Sequence, residues 1–169
     1  DWNVSNVTNM SYMFWKADNF NQPIEDWNVS NVKTMEGMFF GASIFNQAIG
    51  DWDVSNVTNM NKMFHSARSF NQPISKWNVS NVKNMEVMFS DAKSFNQPIG
   101  DWNVSNVEDM VGMFYNAISF NQLINTKVVN KGQENEYTAW NVSNVIDMDF
   151  MFDGAINFNV EENARWYNP

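Results

Sequence analysis

The chain has no cysteine, a single histidine (His65), a single leucine (Leu123) and four prolines among its 169 residues. Without cysteine there are no disulfides, thiolate metal sites or cysteine nucleophiles, and the redox compartment is left open. One histidine excludes any site built on several. Basic residues are scarce as well: 10 Lys+Arg face 19 Asp+Glu, a net charge of -9 that repels nucleic acid and anionic membrane surfaces. No apolar run approaches the roughly 20 residues that span a bilayer, so no membrane insertion is expected of this chain. It opens at Asp1 without an initiator methionine, as expected of a mature piece or a fragment of something longer.

What is abundant is equally biased: 29 residues are Asn, 12 Met, 14 Phe and 8 Trp. The bias comes from a repeat. Trp2, Trp27, Trp52, Trp77 and Trp102 are 25 residues apart, and Trp140 follows after one period plus a 13-residue insertion. The unit reads W-N-V-S-N-V-x-x-M-x-x-M-F-x-x-A-x-x-F-N-Q-P-I-x-x, and six copies start at those tryptophans. A period of this size indicates a solenoid, in which each unit buries its apolar face only by stacking on its neighbours. The whole chain, 1–169, then forms one domain.

Within a unit, Val82, Met85, Met88, Phe89 and Ala92 show the spacing of an amphipathic helix of about ten residues, with Ser80 or Asn81 as its N-cap. Phe95, Asn96, Gln97, Pro98 and Ile99 read as a short extended strand, two or three residues long because proline removes a ladder hydrogen bond. The expected fold is therefore an α/β repeat solenoid with one short helix and one short strand per 25-residue unit. Residues 125–139 are polar, contain Gly132, and read as a protruding inserted loop. Residues 160–169, with Glu161, Glu162, Arg165 and Trp166, read as a polar C-terminal cap.

The motifs S-N-V-T-x-M-x-x-M-F (Ser5 to Phe14) and F-N-Q-x-I-x-x-W (Phe70 to Trp77) resemble those of the BspA-like leucine-rich-repeat surface proteins, and the resemblance covers nearly the whole chain. It implies a leucine-rich-repeat-like right-handed coil, displayed on bacterial or protist cell surfaces and used for adhesion or recognition. It implies no enzymatic activity.

The repeated positions have structural explanations. Stacked Trp, Val, Met, Phe, Ala and Ile form a core in which Met lies beside Phe. The tryptophan file could alternatively offer a sugar-stacking platform. The two Asn files, Asn6 to Asn144 and Asn21 to Asn159, can pair the backbone groups of buried turns, an asparagine ladder. Asn-x-Ser/Thr triplets are generated by the repeat itself and are no evidence of modification.

Positions that differ between copies carry any specificity. On a helix with Val7 at 0°, the buried stripe centres near about 300°, and Thr8, Tyr12 and Trp15 face outward. Their files supply exposed aromatics and one imidazole: Tyr12, Trp15, Phe40, His65, Tyr115 and Phe150 are the candidate ligand-binding residues. Exposed aromatic clusters mark interaction sites, although these rings could instead fold back over a neighbouring coil. Asp1, Asp26, Asp51 and Asp101 share one repeat position, and calcium bridging Asp26, Asp51 and Asp101 would relieve their repulsion. Lys76 and Ala139 interrupt that file, so no metal site is assigned, and no other cofactor is implied.

No serine has a histidine partner and no phosphate loop is present, so the chain is not expected to be an enzyme. The expected function is a non-catalytic extracellular or cell-surface recognition module for a protein or glycan. The alternatives are a structural spacer or filament segment, stacking end to end or continuing into a longer chain, and a calcium-dependent or carbohydrate-binding module.

Overall fold

A computed structural model of the chain describes residues 2–168. The repeat units form coils that stack in parallel. Single-residue bridges join Asn9 to Thr34, Thr34 to Asn59, Asn59 to Asn84, Asn84 to Asp109 and Asp109 to Asp147.

The expected helix is absent from every unit, and the reason is visible in the backbone. Tyr12, Gly37, Lys62, Val87, Gly112 and Phe150 share one repeat position, and all have φ between 46° and 58°. Lys16, Gly41, Ser66, Asp91, Asn116 and Gly154 share a second, at φ 52° to 72°. Two left-handed residues per unit interrupt a right-handed helix. The segment instead runs as consecutive β-turns: Met13 N–H donates to Met10 O, Trp15 N–H to Tyr12 O and Ala17 N–H to Phe14 O. The intervening residues donate across to the next coil, from Met10, Tyr12, Phe14 and Lys16 N–H to Thr34, Glu36, Met38 and Phe40 O. From Met10 to Ala17 four amides thus join coils, three close turns and Ser11 N–H is taken by Asn9 Oδ1, which satisfies the backbone without a helix.

The expected strand is absent too. Residues 20–24 form no ladder, and side chains hold their equivalents together. Asn21 Oδ1 accepts from Asn46 N–H at 2.9 Å and from Gln47 Nε2 at 2.9 Å, and the pattern repeats from Asn46 to Asn71, Asn71 to Asn96 and Asn96 to Asn121. Pro23, Pro73 and Pro98 therefore remove no ladder bond. The other Asn file also bridges coils: Asn31, Asn56, Asn81, Asn106 and Asn144 Nδ2 donate to the Ser carbonyl one coil back.

The apolar repeat residues line the interior. Phe14, Phe39, Phe64, Phe89, Phe114 and Phe152 stack with centroids 5.5 to 5.7 Å apart. A second phenylalanine column, Phe20 to Phe158, runs beside it. Tryptophan indoles tie the coils: Trp52, Trp77, Trp102 and Trp140 Nε1 donate to Ile24, Ile49, Ile74 and Ile99 O. From Trp52 on, these indoles are buried, so the sugar-platform alternative fails for them.

Two elements depart from the repeat. The insertion is a hairpin, β1 (Lys127–Val129) paired antiparallel with β2 (Tyr137–Ala139), laid back on coil five rather than projecting freely. Tyr137 OH donates to Asp101 O at 2.6 Å, and Lys127 pairs with the Asp101 carboxylate. Its sequence signal is the valine pair and the Tyr-Thr pair flanking Gly132. The tail contains α1 (Val160–Asn163), capped by the Asn159 side chain. Trp166 then stacks on Trp140 at 5.7 Å and donates Nε1–H to Ile124 O at 2.7 Å. The tail is thus half a seventh coil carrying a seventh repeat tryptophan. Asp1 and Pro169 lie outside the described residues.

Candidate functional site

The outer surface follows from the turns. Thr8, Lys33, Thr58, Lys83, Glu108 and Ile146 are all exposed. The two files that carry aromatics are less uniform, and in the file that starts at Tyr12 the left-handed backbone lets a side chain lean over the adjacent coil. Tyr12 does so. Its ring covers Gly37, where an added Cβ would overlap the ring carbons, and its hydroxyl donates to Glu36 Oε1 at 2.6 Å. That bond, with burial and the Glu36 charge, raises the phenol above its ordinary range. Tyr12 therefore offers a ring edge braced against coil two.

Trp15 is 53% exposed, with the Lys16 ammonium 4.9 Å from its ring, a surface cation–π contact. Phe40 and His65 are half-buried and meet edge to face at 4.6 Å. Burial pushes the His65 pKa down and Lys62 adds to this, while Asp91 opposes both. The His65 Nδ1 is buried without a partner among the described residues.

Tyr12, Trp15, Phe40 and His65 thus occupy coils one to three. Tyr115 and Phe150, both exposed, stand on coils five and six. Coil four separates the groups, presenting Val87 and the buried Ser90 in the same two files. The six candidates form two patches rather than one.

Two aspartates of the file are paired with lysines. Asp51 faces Lys76 at 3.0 Å and Asp101 faces Lys127 at 2.5 Å. Among the described residues no group of three or more histidines, aspartates or glutamates could hold a metal ion. Nor is any helix there long and apolar enough to cross a membrane.

The hairpin builds a site that sequence reasoning missed. Asn135 and Tyr137 overhang coils four and five, enclosing a groove of about 340 Å³ with Lys76, Asn78, Asp101 and Asn103. Reading residues 125–139 as a free loop hid it. Amide, ammonium, hydroxyl and carboxylate groups there suit a polar ligand. Burial, with Asp101 nearby, raises the Tyr137 phenol above its usual range.

Comparison with known proteins places the chain in a family. The family model described as "Mycoplasma protein of unknown function, DUF285" matches residues 1–85, 45–138 and 133–168, tandem matches that mark a repeat protein. No curated protein and no solved structure matches.

Proposed function

The chain belongs to the DUF285 family, and from that premise we propose that it is a non-catalytic recognition module that binds a protein or glycan at a cell surface or outside the cell. Its frame is leucine-rich-repeat-like in the sense of stacked 25-residue units with a constant interior. The observation that carries the reading is the contrast between files. Interior positions repeat almost without change, whereas the file from Trp15 onward, exposed or half-buried except at Ser90, reads Trp, Phe, His, Ser, Tyr, Asp. A scaffold that only had to stack would not need aromatic rings there. Rings held on a rigid frame contribute contact area at low entropic cost.

The test is a binding screen of the chain against arrayed glycans and extracellular-matrix proteins, beside a folded Tyr12→Ala/Trp15→Ala/Phe40→Ala variant. A ligand bound by the parent and lost by the variant supports the reading and locates the site on coils one and two. Binding that survives the triple substitution but fails in Tyr137→Ala/Asn135→Ala moves the site to the hairpin groove. No binding by the parent overturns the reading in favour of a spacer.

A further inference from the structure

The groove under the hairpin lies on coils four and five, each of which is bridged to a coil on either side. Its floor comes from the repeat. Asn78 and Asn103 hold the same repeat position one coil apart. Asn78 Oδ1 accepts from Ser80 N–H at 3.1 Å, and Asn103 Oδ1 accepts from Ser105 N–H at 3.2 Å and from Ser105 Oγ at 2.7 Å. These bonds turn each amide oxygen back to its own coil, so Nδ2 is the end left for a ligand. Neither Nδ2 has a partner among the described residues. Neighbouring coils thus hold two NH2 groups roughly 4.8 Å apart, the spacing of hydrogen-bonded chains.

The hairpin adds the acceptors. The Tyr137 hydroxyl gives its proton to Asp101 O at 2.6 Å, which leaves the lone pairs of its oxygen. Lys127 holds Asp101 Oδ1, and Asp101 Oδ2 has no partner among the described residues. Asn135 is exposed, makes no side-chain bond there, and can both donate and accept. The charges cancel, since Lys76 pairs with Asp51 at 3.0 Å and Lys127 with Asp101. Apolar surface is scarce, because Trp77 and Val79 line the groove but are buried.

We infer that this groove is a binding site for a neutral saccharide of one or two pyranose rings, with Asn78 and Asn103 donating to its hydroxyl oxygens and Asp101 and Tyr137 accepting its hydroxyl protons. A sugar hydroxyl donates and accepts at once, which matches a site that mixes fixed donors with fixed acceptors. Equatorial hydroxyls on alternate carbons of a pyranose stand about as far apart as neighbouring coils. The volume, about 340 Å³, is at the small end of ligand pockets. A charged ligand finds no excess of opposite charge, and a peptide finds no apolar hollow for its side chains. The insertion is what makes the site: Asn28 forms the same turn with Ser30 on coil two, far from the hairpin, and on coil three Asp53 replaces the amide. Saccharide binding here rests on the recognition reading and commits it to one place and one ligand class.

Side-chain amide resonances of isotope-labelled protein report on the groove directly. Those of Asn78 and Asn103 are identified by their loss in Asn78→Ser and Asn103→Ser, and the parent is titrated with lactose, maltose and cellobiose, beside glucuronate and a trialanine peptide. At least one neutral disaccharide should shift both resonances saturably, with a Kd of about 1 mM, while glucuronate and trialanine shift neither. Asn78→Ser/Asn103→Ser with a native circular dichroism spectrum should bind at least about tenfold more weakly, through loss of two hydrogen bonds. Asn135→Ala removes a side chain that the fold does not bond, and should weaken binding about threefold. If the double variant does not fold, Asn135→Ala decides. The inference is overturned if no neutral disaccharide moves either resonance at roughly 50 mM, if glucuronate or trialanine moves them as far, or if the folded variants bind like the parent. A ligand from the array screen that the coil-one and coil-two triple variant loses, with both resonances unmoved by any disaccharide, overturns the groove and keeps the recognition reading. No array ligand and no shift overturns both.

Discussion

Trp2 and Trp140 hold the same place in the repeat, yet Trp2 is 65% exposed and Trp140 is fully buried. The difference lies in what covers each. Trp140 has coil five on one side and Trp166 on the other, whereas among the described residues Trp2 stacks on a single ring, that of Trp27, at 6.0 Å. Met13 repeats the lesson: it is 37% exposed, and its equivalents Met38, Met63, Met88 and Met113 are fully buried. A residue type therefore does not decide burial in this molecule; the presence of a neighbouring coil does. Stability should follow the same rule, nearly a sum of nearest-neighbour contacts that is weakest at the uncovered end.

Substitution along the tryptophan file tests that rule most severely. Trp52→Ala removes a buried ring and leaves the Ile24 carbonyl without its indole donor, and should cost about 3–5 kcal/mol in urea unfolding. Trp2→Ala, the same change on the open face, should fall within about 0.5 kcal/mol of the parent. Equal losses at both positions would break the comparison. Trp166→Ala should lie between, near about 2 kcal/mol, because a half-buried ring is lost and the Ile124 carbonyl is stripped. Hydrogen exchange would then show protection lost in coil six and kept in coils three and four.

The asparagine ladder offers a finer version. Asn71 Oδ1 accepts from Asn96 N–H and Gln97 Nε2, while Asn71 N–H donates to Asn46. Asn71→Ala leaves those donors unanswered and should cost about 1–3 kcal/mol by thermal or urea melt. Asn159→Ala, in the last unit, touches only the cap of a four-residue helix and should cost about 1 kcal/mol or less. A larger loss at Asn159 than at Asn71 would mean that the tail, not the ladder, carries the stack.

These contrasts also explain what could be read from the amino-acid order. The 25-residue period, the interior identity of Val, Met, Phe and Ala, and the ladder role of asparagine follow from recurrence alone. The helix did not follow, because Val7, Met10, Met13, Phe14 and Ala17 fit a helical stripe as well as they fit a run of β-turns. The discriminating signal was present: Gly37, Gly112, Gly41 and Gly154 recur at two fixed positions, and Asn116, Asp91 and Ser66 share the second. Such residues tolerate left-handed backbone, while Tyr12, Lys62, Val87 and Phe150 at the first position hid it. Trp166 was obscured differently. Its flanking residues lack the W-N-V-S-N-V motif, and only its stacking on Trp140 and its bond to Ile124 identify it as a repeat tryptophan. The hairpin groove joins residues more than fifty positions apart, Lys76 to Tyr137, which no local pattern displays.

The smallest effect concerns two residues of one file, Trp15 on the uncovered coil and His65 on coil three. Trp15→Ala should leave unfolding unchanged within about 0.5 kcal/mol, since the ring is largely exposed and its cation–π contact with Lys16 lies at the surface. His65 is half-buried against Phe40, and burial holds its folded pKa below the ordinary value of about 6.5. The unfolded chain therefore takes up the proton first as pH falls. Stability is unaffected by this group above about pH 6.5 and declines below it until the folded pKa is reached. Urea midpoints at pH 7.5 and 5.5 should differ more in the parent than in His65→Gln, with the carboxylates contributing equally to both proteins. An identical pH difference in the two would mean that the covered coil shields its imidazole no better than the open coil shields Trp15, and the distinction between them would be confined to the core.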